Sequence, residues 1–254
     1  MTGPAPSDVA TYALRLGDDA LVLSHRLGEW IAAAPQLEED IALANIALDQ
    51  LGQARLLLSY AGEVEGAGRT EDDLAYLREE RDFLNLQLCE QPNGDFAVTI
   101  ARQLVLSAYQ VALYDRLQRS ADETLAAIAA KALKEVDYHR DHATQWVLRL
   151  GDGTEESHGR MQVALDVVAP FVDEVFATDD LEQRLVHEGV AVDSSGLRDE
   201  WEAYVLPVLA EATVELPDPT WHAKGGRRGV HSEALGRLLA EMQHLHRSHP
   251  GASW

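Results

Sequence analysis

The segment from about Leu37 to Glu65 reads as a helix that is apolar on nearly every side. Ile41, Leu43, Ile46, Leu48, Leu51, Leu57 and Leu58 cover most of its wheel, and Gly62, Gly66 and Gly68 then break the chain. A surface helix carries one apolar stripe, whereas a helix apolar all round is a central one with neighbours on several sides. This segment therefore predicts an all-α fold with a long helix at its middle.

The rest of the chain supplies the neighbours. Leu, Ala, Glu, Gln and Arg dominate, all good helix formers, and no run alternates as a strand would. A first helix is expected over Val9–Ala33, with Tyr12, Leu16, Leu23, Leu27 and Ile31 at helical spacing and Pro35 beyond its end. Thr70 with Asp73 makes a capping-box start for a third helix running to about Cys89, and Gln91–Asp95 reads as a turn. Further helices are expected over Phe96–Arg119 and Asp122–Leu150, then shorter ones over Glu155–Phe176, Asp180–Glu188, Leu197–Glu215 and His231–Arg247. The four long helices would each span ~36–44 Å. With a short helix inserted between the second and fourth, they make the outline of a ferritin-like four-helix bundle with additional shorter helices. Residues 1–254 show no repeat, linker or low-complexity tract and are expected to form a single domain.

Charge narrows the partners. The 254 residues carry 21 basic against 43 acidic side chains, a net −22. Such a surface repels nucleic acid and anionic lipid, so neither is expected as a partner. One cysteine, Cys89, precludes an intramolecular disulfide and permits a reducing compartment. The first ten residues have neither a basic nor an apolar leader region, and no uninterrupted apolar run approaches the ~18 residues that cross a bilayer. The expectation is a soluble, cytoplasmic protein.

A bundle of this outline can hold a di-iron centre, which takes a Glu from each of two helices and Glu-x-x-His from each of the other two. On the second helix the matching positions are Gln50 and Gln53. A neutral amide is a poor iron ligand and does not bridge two cations. Asp49 points about a hundred degrees away around the helix, and its i+3 residue is Gly52. On the fifth helix, Tyr138 stands three after Glu135 and Val136 three before His139, so the register fails again. Glu135, His139 and His142 nevertheless share a face with Ile128 and Trp146. Asp18 and His25 fall near one stripe of the first helix, and Gln103 is the inward polar residue of the fourth. Gln50 and Gln53 read either as a buried hydrogen-bonded pair or as lapsed ligand positions. Glu135, His139 and His142 read either as a buried ionic network or as a residual metal cluster. In the second case the chain would be a self-sufficient metal oxidase; a storage or structural homo-oligomer is the other rival.

Four stretches carry a resemblance: YALRLGDDALVLSHRLGEW (Tyr12–Trp30), ALANIALDQLGQAR (Ala42–Arg55), ERDFLNLQLCEQPNGDFAVTIARQ (Glu80–Gln103) and GGRRGVHSEALGRLLAEMQHL (Gly225–Leu245). In order and across nearly the whole chain, they resemble the non-catalytic C-subunit family of the bacterial phenylacetyl-CoA epoxidases. These are multicomponent monooxygenases. The resemblance implies a ferritin-like structural subunit in aerobic phenylacetate degradation, paired with a homologous catalytic A subunit. It implies that the A subunit holds the di-iron centre and binds the thioester. A small B subunit joins the assembly, and a reductase component supplies electrons from NADPH to add one oxygen of O2 across the aromatic ring. It further implies that this chain binds no cofactor and carries no catalytic residue.

One surface feature stands apart. Lys224, Arg227 and Arg228 lie in a glycine-rich stretch of an otherwise acidic chain. Exposed guanidinium groups match carboxylate or phosphate, so these three are expected to meet a partner subunit or the phosphates of a CoA, with a solvated loop as the alternative. The stretch lacks the Gly-Lys-Ser/Thr ending of a P-loop. His244, His246 and His249 read as a surface segment rather than a metal tract.

Overall fold

Pro6 stands in the first turn of α1 (Pro6–Gly28), where its missing N–H costs no hydrogen bond. The structure, a computed structural model, describes residues 4–252. Among these it has ten α-helices and no strand. They form two compact units, Met1–Pro92 together with Gly225–Trp254, and Asn93–Lys224. The four long helices expected of a ferritin-like chain are present as two consecutive pairs, one in each unit.

In the first unit, α1 ends earlier than the apolar spacing suggests. Ala32 takes a left-handed backbone (φ 63°), and its N–H donates to Asp40 Oδ1 at 2.7 Å. The chain then turns into α2 (Leu37–Glu65). Gly17, midway along α1, meets Leu57 and Leu58 late in α2, so the two helices run antiparallel. A Cβ at position 17 would lie 2.8 Å from Leu58 Cδ2, which is why glycine sits at this crossing. Gly66, in the left-handed region, caps α2.

α2 is covered on one side. Leu43, Ile46, Gln50, Gln53, Ala54, Leu57 and Leu58 are buried, but Leu37, Ile41 and Leu48 are more than half exposed. The all-round apolar wheel therefore records two faces with different surroundings, not a helix enclosed on every side.

The expected third helix is broken. Thr70 and Asp73 do form the capping box of α3 (Glu71–Tyr76), but a 3-10 turn (Glu80–Asp82), an extended stretch and the single turn α4 (Gln87–Glu90) follow. The cause lies on α1. The backbone N–H groups of Leu84 and Leu86 donate to Asp18 and Asp19, which holds residues 83–86 extended. α10 (Glu233–Ser248), capped by Ser232, returns to this unit. Gln243 Nε2 donates to the carbonyls of Ala75 and Arg78, both at 3.0 Å, and His246 stacks on Tyr76 at 4.8 Å.

The second unit is built on α5 (Phe96–Leu117) and α6 (Glu123–Gly151), capped by Asp95 and Asp122. α7 (Glu155–Val175), α8 (Asp180–His187) and α9 (Arg198–Glu211) complete it. Trp201 is almost wholly buried, and its Nε1 donates to the carbonyl of Val105 at 3.0 Å. Phe176 packs edge-on between Tyr109 and Trp201, joining α5 to α9. α5 is long and apolar enough to cross a bilayer by composition, but 83% of its most apolar window is buried inside the structure, as befits a core helix.

Candidate functional site

Four charged tethers hold the first unit together, and three of them join its two chain segments. Adjacent acids on α1 supply two. Asp18 is fully buried and accepts from both terminal nitrogens of Arg78, while the Leu84 N–H donates to Asp18 Oδ2 at 2.8 Å. Arg78 also donates to the carbonyls of Leu74 and Asp82, and its guanidinium lies 4.1 Å from the centre of the Phe83 ring. Asp19 accepts from Arg227 at 3.0 and 2.7 Å and from the Leu86 N–H at 2.7 Å. Burial pushes the Asp19 carboxyl above the usual range, against the opposing pull of the Arg227 guanidinium. Arg227 further donates to the carbonyls of Arg15 and Leu84, each at 3.0 Å.

The third tether is Glu90 with His231. Glu90 Oε2 takes His231 Nδ1 at 2.8 Å and Asn85 Nδ2 at 2.9 Å, and Oε1 takes the Ser232 N–H at 2.6 Å. His231 Nε2 lies 2.8 Å from the Phe83 carbonyl. Both ring nitrogens therefore face acceptors, which fits the imidazolium. Burial draws the His231 pKa down, but the hydrogen bond and charge of Glu90 outweigh it and the pKa is raised. With both nitrogens committed, His231 has no basic nitrogen to offer a substrate. In the fourth, Arg26 donates to the carbonyls of Glu90 and Ala234 and to Glu29.

The basic stretch thus divides. Lys224 and Arg228 are exposed, as a partner contact requires. Arg227 instead turns inward onto Asp19, in the direction opposite to the expected surface role. Glycine makes that turn possible. Gly229 has φ 72°, and a Cβ there would lie 2.1 Å from the Arg81 carbonyl oxygen.

Gln50 and Gln53 stand one turn apart on the buried face of α2, 0% and 2% exposed. In the second unit His139 is fully buried, whereas Glu135 and His142 are part-exposed and Glu135 lies 3.8 Å from Lys131. Gln103 is buried, and its Oε1 has no hydrogen-bond partner among the described residues. No group of three or more His, Cys, Asp or Glu side chains able to hold a metal occurs among the described residues, so Glu135, His139 and His142 do not combine into the residual cluster their spacing suggested. The donor chemistry does not fit a di-iron centre. Amides stand at the α2 positions, and both α1 acids are held by guanidinium groups. Asp19, Arg78, Glu90 and His231 escaped the sequence reading. The signal that could have found them is an Asp-Asp pair inside an apolar helix, which needs two cations from elsewhere in the chain.

Two comparisons bear on what this architecture is for. The family described as "Phenylacetic acid catabolic protein" matches residues 1–254. Among curated proteins, the C subunit of the 1,2-phenylacetyl-CoA epoxidase of Escherichia coli (strain K12) is 52% identical over 248 residues, covering 98% of this chain and all of that protein.

Proposed function

Since the chain belongs to the phenylacetic acid catabolic protein family, we propose that it is the structural C subunit of a phenylacetyl-CoA epoxidase, a monooxygenase of phenylacetate degradation. The observation that carries this reading is 52% identity, over 98% of the chain, to a protein named as the C subunit of that enzyme. The site chemistry supports a non-catalytic role: the acids of α1 hold structural arginines, and Gln50 and Gln53 offer amides where iron would need carboxylate and imidazole.

In this reading the oxygen chemistry belongs to a homologous catalytic A subunit holding the di-iron centre. A small B subunit joins the complex, and a reductase brings electrons from NADPH. The chain itself binds no cofactor and works in the cytoplasm. Its contribution is mechanical. It covers apolar surface of the catalytic subunit and steadies that subunit's helices at their working spacing.

The test is reconstitution. Phenylacetyl-CoA-dependent oxygen uptake should require the catalytic subunit and rise on adding this chain, which alone should consume no oxygen and purify with substoichiometric iron. A catalytic subunit that is soluble and fully active alone would falsify the structural role. About two irons per chain, with oxygen uptake by this chain alone, would restore the self-sufficient oxidase. A large homogeneous shell on sizing would point to storage.

A further inference from the structure

α2 presents a second apolar face that its own unit does not cover. Leu37, Ile41, Ala44, Leu48 and Leu51 succeed one another at spacings of four, three, four and three residues. That 3.5-residue repeat is the seam by which one helix seats its side chains into another. Leu37, Ile41 and Leu48 are 70%, 56% and 63% exposed. The seam ends at Arg55, the next position in the repeat, which lies 3.7 Å from Glu71. Beside the seam runs an apolar groove of about 520 Å³ between α1, α2 and α10, whose lining includes Ile31, Leu48, Leu51, Leu238 and Met242.

Charge selects the occupant. The charged lining residues are Glu241 and Glu29, the latter paired with Arg26 of α1, and no lysine or arginine lines the groove. His25, also in the lining, has its pKa lowered by burial, which favours the uncharged ring. Glu38 and Asp40 flank the first turns of the seam. A second copy of this chain, itself −22, would bring acid against acid. A helix with lysine or arginine beside its apolar stripe meets both the repeat and the charge.

We propose that the α2 seam, Leu37–Leu51, is the docking site for a basic-flanked amphipathic helix of the epoxidase catalytic subunit. This rests on the subunit reading above and adds to it the face and the chemistry of the contact.

The test co-expresses the full chain with a tagged catalytic subunit from the same source. Ile41→Lys with Leu48→Lys should leave helical circular dichroism and melting temperature close to wild type, because both side chains are exposed, while recovery on the tagged partner falls at least tenfold. Val163→Lys with Val167→Lys, at exposed apolar positions of α7, should leave recovery unchanged. Slower hydrogen exchange of residues 37–51 in the wild-type complex provides a readout that needs no variant. Full recovery of the seam variant, equal loss in the α7 control, or unchanged exchange of α2 overturns the docking site and leaves the subunit reading standing. So does a wild-type homodimer that the seam substitutions dissociate. Wild type that is not recovered with the catalytic subunit overturns both.

Discussion

Arg227 grips both carboxylate oxygens of Asp19 across 208 residues of sequence, at 3.0 and 2.7 Å. The pair fastens the loop before α10 to the middle of α1. Asp19 is buried, so removing its cation leaves an acid with the Leu86 N–H but no countercharge. Arg227→Ala should destabilise the chain by about 3–5 kcal/mol. Arg228→Ala, one residue on and exposed, should stay within about 0.5 kcal/mol. Urea unfolding of the two variants checks the contrast, and equal effects would contradict the inward role of Arg227.

Gly229 permits that grip by conformation. With φ at 72° and the Arg81 carbonyl oxygen 2.1 Å from where a Cβ would stand, Gly229→Ala should cost roughly 2–4 kcal/mol. Gly28→Ala, where a Cβ meets open space, should change stability by no more than about 1 kcal/mol in either direction. Thermal unfolding separates them.

His231 gives the fold a pH dependence of definite sign. Its folded pKa is raised, so its contribution is fully present below the unfolded value of about 6.5 and is lost as pH rises through the folded value. The stability difference between wild type and His231→Gln should therefore shrink on going from pH 6 to pH 9. A difference that grows with pH would show that the imidazolium is not the species bound to Glu90 and Phe83.

Gln50 tests the lapsed-site reading. It is wholly buried, so Gln50→Glu should destabilise by roughly 2–4 kcal/mol at pH 8 and recover as the pH falls and the new acid takes up a proton. Combining it with Gln53→His should still leave iron substoichiometric, because Asp18 and Asp19 remain held by Arg78 and Arg227. Metal analysis after loading with ferrous iron decides this.

The long helices were legible in the sequence because local periodicity and caps dictate them. α2 spans the stretch its apolar pattern marks, about Leu37 to Glu65, and Thr70 with Asp73 forms the expected box. The burial of Gln50 and Gln53 was legible for the same reason. The misreadings all come from distant partners. Residues 83–86 look helical until Asp18 and Asp19 take two of their N–H groups. Arg227 looks like a surface cation until its buried acid is known. The α2 wheel looks enclosed because periodicity reports apolar character and not which element, or which molecule, covers it.

The first unit joins Met1–Pro92 to Gly225–Trp254, whereas Asn93–Lys224 is continuous. During synthesis the middle of the chain can thus fold before its beginning does. At ~5–20 residues per second, α1 waits on the order of ten seconds for Arg227 to be made. Until then Asp19 lacks its guanidinium, and α3 and the 3-10 turn lack the cover of α10, although α1 and α2 can already pack on each other. Order of synthesis and order of closure thus run opposite ways: the unit begun first is sealed second, and its buried acid on α1 is neutralised only once residues 225–254 have been made.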